Sequence, residues 1–165
     1  MIQQFFGGAI SMEIPDDLVS FANFRRLADH EELFGSLTRD LLCHVEILNI
    51  PEETPLITHA LEHHWKQLAK DNECPDESFY EVYENDVCPS AIKDVPAVAG
   101  YTVGIQLPKD QNVTLRIATS VVRLESVKAD ILVTFTSSEL SLAVVSEAIR
   151  KIGPSLQVHD MKLFA

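Results

Sequence analysis

The chain has 165 residues and a mass of 18.4 kDa, a length expected to form one domain over residues 1–165 and to bury roughly 70% of the surface its unfolded form exposes. Hydrophobic residues at 46% and charged residues at 23% exclude a disordered or fibrous chain. Thirteen Lys and Arg against 25 Asp and Glu leave a formal charge of −12, which argues against a general nucleic-acid binder and favours a basic partner or simple solubility.

The first residues, Met1-Ile2-Gln3-Gln4-Phe5-Phe6-Gly7-Gly8, have neither the basic and apolar regions of a secretion signal nor the Arg- and Ser-rich character of a transit peptide. From Gly8 to Ile14, Ile10, Met12 and Ile14 alternate with Ser11 and Glu13, the period-2 pattern of a half-buried strand that Pro15-Asp16-Asp17 ends. Leu18 to Leu27 reads as a short helix or an irregular connection. The acidic cluster Asp29-His30-Glu31-Glu32 then falls in a loop or at a strand edge. Leu41 to Ile50 is a nearly continuous apolar strand, expected to be central and covered on both faces, with Glu46 on the same side as His44 and Leu48.

Thr54-Pro55 is a helix-start signal, and the helix is expected to run to about Lys70, with Ile57, Leu61, His64 and Leu68 on one stripe beside Trp65. Residues 71 to 86 hold seven acids without a Lys or Arg and read as a negative loop. Tyr101 to Leu107, Val113 to Leu124 and Ile131 to Thr136 are three consecutive strands of an antiparallel meander. Ser137 and Ser138 are candidate caps for a helix with Leu142, Val145, Ile149 and Ile152 on one face, which Gly153-Pro154 stops. Leu156 to Phe164 has some strand character. Strands, one helix, more strands and a late helix do not alternate as βαβ units, so the expected class is α+β, a largely antiparallel sheet of five or six strands carrying helices.

Little in the chain suggests catalysis. His59-Ala60-Leu61-Glu62-His63 spells H-x-x-E-H, which on a helix puts two imidazoles on one face for zinc, but no third ligand or downstream carboxylate motif accompanies it. No phosphate-binding glycine loop and no nucleophile elbow is present. Cys43, Cys74 and Cys88 form no CxxC pair and read as reduced thiols. No stretch approaches the ~20 apolar residues of a bilayer span. The chain is therefore read as a protein without enzymatic activity, metal or cofactor. Glu46 is the acid that stands out, because a carboxylate in so apolar a strand must be paired, with Arg123 or Arg116 on a neighbouring strand, or exposed at a functional edge.

Five segments, in order, resemble one family. They are Phe6-Gly7-Gly8-Ala9-Ile10-Ser11 followed by Ile14-Pro15, then Arg25-Arg26-Leu27-Ala28-Asp29-His30-Glu31-Glu32-Leu33-Phe34, and Val45-Glu46-Ile47-Leu48-Asn49. Val121-Val122-Arg123-Leu124 with Asp130-Ile131-Leu132-Val133, and the ending Val158 to Ala165, complete the set. Together they resemble the Ran guanine-nucleotide release factors of the Mog type. The resemblance implies a six-stranded, mainly antiparallel sheet flanked by α-helices, the α/β/α sandwich of PsbP-type proteins. It implies binding of the small GTPase Ran and release of its nucleotide in support of nuclear protein import. The implied Ran surface carries over to Asp29, Glu32 and Glu46, with Asn49 where the family has a second acid and Arg25 as a local organiser. The first residues, the acidic charge and the lack of a long apolar stretch give the expectation of a monomer in nucleus and cytoplasm, free of nucleic acid and membrane, and the resemblance adds Ran and in some cases a second Ran-binding protein as partners. The rival reading is a PsbP-like structural or scaffold protein that no longer acts on Ran.

Overall fold

The structure, a computed structural model, describes residues 1–22 and 29–165. In chain order the elements are β1 (Ile2–Phe5), β2 (Ile10–Glu13), β3 (Leu18–Ser20), β4 (Glu31–Ser36), β5 (Leu42–Asn49), α1 (Ile57–Asp71) and β6 (Tyr80–Cys88). β7 (Val98–Gln106), β8 (Leu115–Leu124), β9 (Ala129–Ser137), α2 (Leu142–Arg150), α3 (Ile152–Ser155) and β10 (Gln157–Val158) follow. The class is α+β as expected, but the strands make two sheets. The larger has seven strands in the order β3-β4-β5-β9-β8-β7-β6, and the smaller has three, β1-β2-β10. All the pairings are antiparallel.

Strand alternation divides the large sheet into two faces. Cys43, Val45, Val103, Ala118, Val122, Ile131, Val133 and Phe135 lie on one, packed against Ile10 and Met12 of the small sheet and Val145 and Ile149 of α2. The opposite face carries α1, whose Ala60 and Leu61 pack on Val121 and Leu132. The apolar stripe of α1 is the predicted one, with Leu61, His64 and Trp65 buried.

Several expectations are corrected. The six-strand sheet becomes seven plus three because β1 and β3 carry too few residues to show a period and the charges of β4 and β6 mask theirs, while the strand character of Leu156 to Phe164 is confined to the two residues of β10. The acidic stretch 71–86 is not all loop: from Tyr80 it is β6, an edge strand of the large sheet. Its acids fit there because an edge strand is solvated on its free side. Thr54 does not cap α1, whose N-cap is Leu56 without a side-chain bond. Instead the Thr54 hydroxyl donates to the Pro51 carbonyl and accepts from Arg123. Likewise Ser137 accepts from the Leu140 amide in the turn before α2, and Gly153-Pro154 lies inside the helical turn α3.

Gly7 and Gly8 have a physical role in the opening segment. Phe6, Gly7 and Gly8 all take positive φ (52°, 66° and 93°), a left-handed run that glycine adopts without steric cost and Phe does not. This run turns β1 into β2.

Candidate functional site

β5 explains the position of Glu46. Its odd-numbered residues Cys43 and Val45 enter the core, so His44, Glu46 and Leu48 point to the α1 face. α1 lies over β6, β7 and β8 and meets β5 at Leu48, which packs against the cluster of Ala60 and Leu61, so the β4–β5 half of this face stays partly exposed. The expectation that β5 is covered on both sides is therefore corrected: His44 keeps 30% and Glu46 22% of its side-chain surface exposed.

Three side chains gather there. Glu31 of β4 sits directly opposite Glu46 in register, and His44 lies two residues before Glu46 on the same side. The His44 Nδ1 is 3.2 Å from the Glu46 carboxylate, and its Nε2 approaches Glu31 at 3.8 Å. Among the described residues this is the group of His, Cys, Asp and Glu side chains close enough to share an ion. The two acids lie against different ring nitrogens, and only the Glu46 contact is within hydrogen-bond range. Like charges directly opposite in a sheet repel, and the His44 ring lies beside both carboxylates. Its hydrogen bond holds the Glu46 carboxyl below the usual range against the opposing effect of burial, with further help from the charges of His44, His30 and His64. Glu46 is thus paired with His44, and with neither arginine. Arg116 donates to the Ser138 carbonyl, and Arg123 is committed to Asp130.

A buried ionic cluster bounds this face on the α1 side. Arg123 of β8 and Asp130 of β9 are cross-strand partners joined by two hydrogen bonds, 2.7 and 2.8 Å. His64 of α1 reaches the same carboxylate at 2.9 Å, and Arg123 also donates to the Thr54 carbonyl and hydroxyl. Burial pushes the Asp130 carboxyl up, but hydrogen bonds and charge from Arg123 and His64 outweigh it and hold it low. The cluster fastens both α1 and the loop before it to the sheet.

The other candidate residues have diverse positions. Asp29 is exposed in the turn before β4. Glu32 faces the opposite side of the sheet from Glu46, where its carboxylate accepts from the Phe6 amide at 2.5 Å. Burial pushes this carboxyl up and the Phe6 amide partly counters it. In this structure Glu32 braces the left-handed turn at Phe6. Asn49 is exposed at the end of β5 and paired with Ala129. Arg25 lies outside the described residues. Glu31 and His44 are the residues that sequence reading missed, although parity held the signal: in antiparallel strands only one of the neighbours Glu31 and Glu32 can share a face with Glu46. His59 and His63 of the H-x-x-E-H string join no metal-ligating group among the described residues. His63 instead sets its ring edge-on against His64, centroids 5.2 Å apart.

The fold and this face define a class of protein: an α+β sandwich that presents half of one sheet face as an open, acidic, histidine-balanced surface. The chain matches the family described as Ran-interacting Mog1 protein over residues 3–138, and it belongs to that family. It is 27% identical over 155 residues to a probable Ran guanine nucleotide release factor of Dictyostelium discoideum, covering 89% of this chain and 77% of that protein. Among solved structures, the fold is similar to the Ran-binding protein Mog1p of Saccharomyces cerevisiae, with a TM-score of 0.79 at 18% identity. It is also similar to a point mutant of protein Mog1, with a TM-score of 0.81 at 16% identity. Both alignments cover 100% of this chain and 98% of the other.

Proposed function

We propose that this protein binds the GTPase Ran through the open β4–β5 face and promotes release of its guanine nucleotide, as a regulator in nucleocytoplasmic protein transport. Membership of the Ran-interacting family carries this reading, and the gathered Glu31, His44 and Glu46 favour this face for it. A GTPase retains its nucleotide through backbone amides, a lysine and Mg²⁺, so a partner that favours the nucleotide-free conformation speeds release by its differential affinity for that state. Glu46 and Glu31, with Asp29 at the rim, offer carboxylates to basic residues of Ran. Asn49 offers hydrogen bonds without charge, and Arg25 keeps only the role that the family resemblance implies. The rest of the sandwich is the platform. We place the protein in nucleus and cytoplasm, as a monomer that acts on Ran without catalysing a reaction of its own, where a second Ran-binding protein can join it and nucleic acid and membranes take no part.

The test is release of a fluorescent guanine nucleotide from purified Ran, with and without this protein and with Glu46→Ala. Loss of a desolvated charge pair costs roughly 2–5 kcal/mol in binding, so the variant should lose the acceleration. If Glu46→Ala is folded and binds Ran as the parent does, Glu46 is not in the interface. Binding without accelerated release would make the protein a Ran binder at most, and failure of the parent protein to bind Ran would favour the scaffold reading, to which the missing charge at Asn49 lends its support.

A further inference from the structure

Among the described residues, the longest free strand edge belongs to β6, nine residues from Tyr80 to Cys88 at the end of the large sheet. The two sides of this strand differ in chemistry. Its register with β7 puts Glu81, Glu84 and Asp86 on the α2 side, opposite Ile105, Val103 and Tyr101. Val82 and Val87 fall on the α1 side, opposite Gly104 and Gly100, and are 40% and 51% exposed. A groove runs along each side: Trp65, Tyr80 and Val82 line the one next to α1, and Tyr83, Leu142 and Ser146 line the one next to α2. Arg150 pairs with Glu84 and is near enough to feel the Asp86 charge, Glu81 accepts from the Tyr83 hydroxyl, and among the described residues neither Glu81 nor Asp86 forms an ion pair.

Such an edge selects its occupant. Like charges directly opposite one another destabilise a strand pair, so a second acidic β6 is repelled. A strand with basic residues on one side and aliphatic residues on the other meets complementary chemistry on both. Paired residues share a face, so its basic side chains would stand beside Glu81 and Asp86 and its aliphatic ones beside Val82 and Val87. The outward backbone is partly occupied by the protein itself, as the Val87 amide donates to the Asp86 carboxylate at 2.9 Å. A basic side chain that draws off this carboxylate frees the amide for an incoming carbonyl.

We propose that the outer edge of β6 is a strand-addition site for an extended segment of another protein in which Lys or Arg alternates with aliphatic residues. β6 lies four strand spacings from β5, roughly 19 Å, so this site and the β4–β5 face are separate surfaces. The proposal is therefore independent of the assignment of Ran to that face.

The experiment is fluorescence anisotropy of the full chain with an acetylated, amidated peptide of four Lys-Val repeats. One control is the same peptide with every second backbone nitrogen methylated, which keeps the charge but cannot complete a ladder. The expected result is saturable binding, weakened about tenfold or more by methylation and equally by the double variant Glu81→Lys with Asp86→Lys, whose thermal stability matches the parent. Both substituted residues are exposed, so the fold is expected to survive. Three results would overturn the proposal: no binding at about 1 mM peptide, equal binding of the methylated peptide, which is charge attraction alone, or undiminished binding by the double variant.

Discussion

Replacing Asp130 with Asn tests whether the ionic cluster beneath α1 is the fastening it looks to be. Arg123 is 1% exposed and Asp130 fully buried, and the guanidinium makes four hydrogen bonds, two to Asp130 and two to Thr54. Asp130→Asn keeps the side-chain volume and one acceptor but removes the negative charge. A buried cation then faces only neutral oxygens. Breaking a buried pair by removing one partner costs about 3–5 kcal/mol, and the retained acceptor puts this variant near 3 kcal/mol. For a chain of this size that corresponds to a fall in Tm of about 6–12 °C. Urea unfolding followed by circular dichroism, beside a thermal scan, reads both numbers. The double variant Arg123→Met with Asp130→Leu removes both charges and fills the space with apolar groups, so it should recover most of the loss. A loss below about 1 kcal/mol for Asp130→Asn, or a double variant less stable than the single one, would refute the assignment.

Other outcomes follow from local geometry. Arg39 forms a bidentate pair with Asp17 at 2.6 and 2.8 Å, and its hydrogen bond, against burial, lowers the Asp17 carboxyl to about 2. A depressed carboxylate stabilises the fold above its unfolded pKa, so this contribution is present above about pH 4 and lost as pH falls towards 2. Solvent screening leaves it at about 1 kcal/mol. Asp17→Asn should remove that part of the acid dependence in unfolding measured at stepped pH, and an unchanged profile would show that the pair contributes nothing. At Gly104 an added Cβ would collide with the Glu81 carbonyl oxygen and sit 3.0 Å from the Val82 Cα. Gly104→Ala should therefore cost about 1–3 kcal/mol and raise hydrogen exchange in β6 above that in β8; a change within the error of unfolding would be contrary. Among the thiols, Cys43 and Cys74 are buried, Cys88 is partly exposed, and burial pushes all three up, Cys43 furthest. Because the thiolate is the reactive form, a chromogenic disulfide should modify Cys88 first and the other two only on unfolding. Equal rates at all three would contradict the packing.

Much of this architecture is legible in the chain because it depends on periods that a single segment displays. The meander β7-β8-β9, the apolar stripe of α1 and the face assignment of His44, Glu46 and Leu48 all follow from alternation at two or about 3.6 residues. β1 and β3 are of four and three residues and have no period to read, and the strand character of Leu156 to Phe164 shrinks to the two residues of β10. β6 carries Glu81, Glu84 and Asp86 without an apolar run, so its charge reads as a loop until the sheet supplies a neighbour.

The α+β class, the core residues of the long strands and the exceptional status of a carboxylate at Glu46 can all be read from the chain alone. Tertiary structure decided which charge meets which. The distance along the chain from Arg123 to Thr54, or from Glu32 to Phe6, says nothing about their contact, because the register of β4 on β5 and of β8 on β9 creates it. Register also chose between two adjacent acids, turning Glu31 towards Glu46 and Glu32 towards the small sheet's opening turn. The physical reason is that alternation is a local property of a strand, whereas the partner opposite each residue is set by packing of the whole sheet against its core.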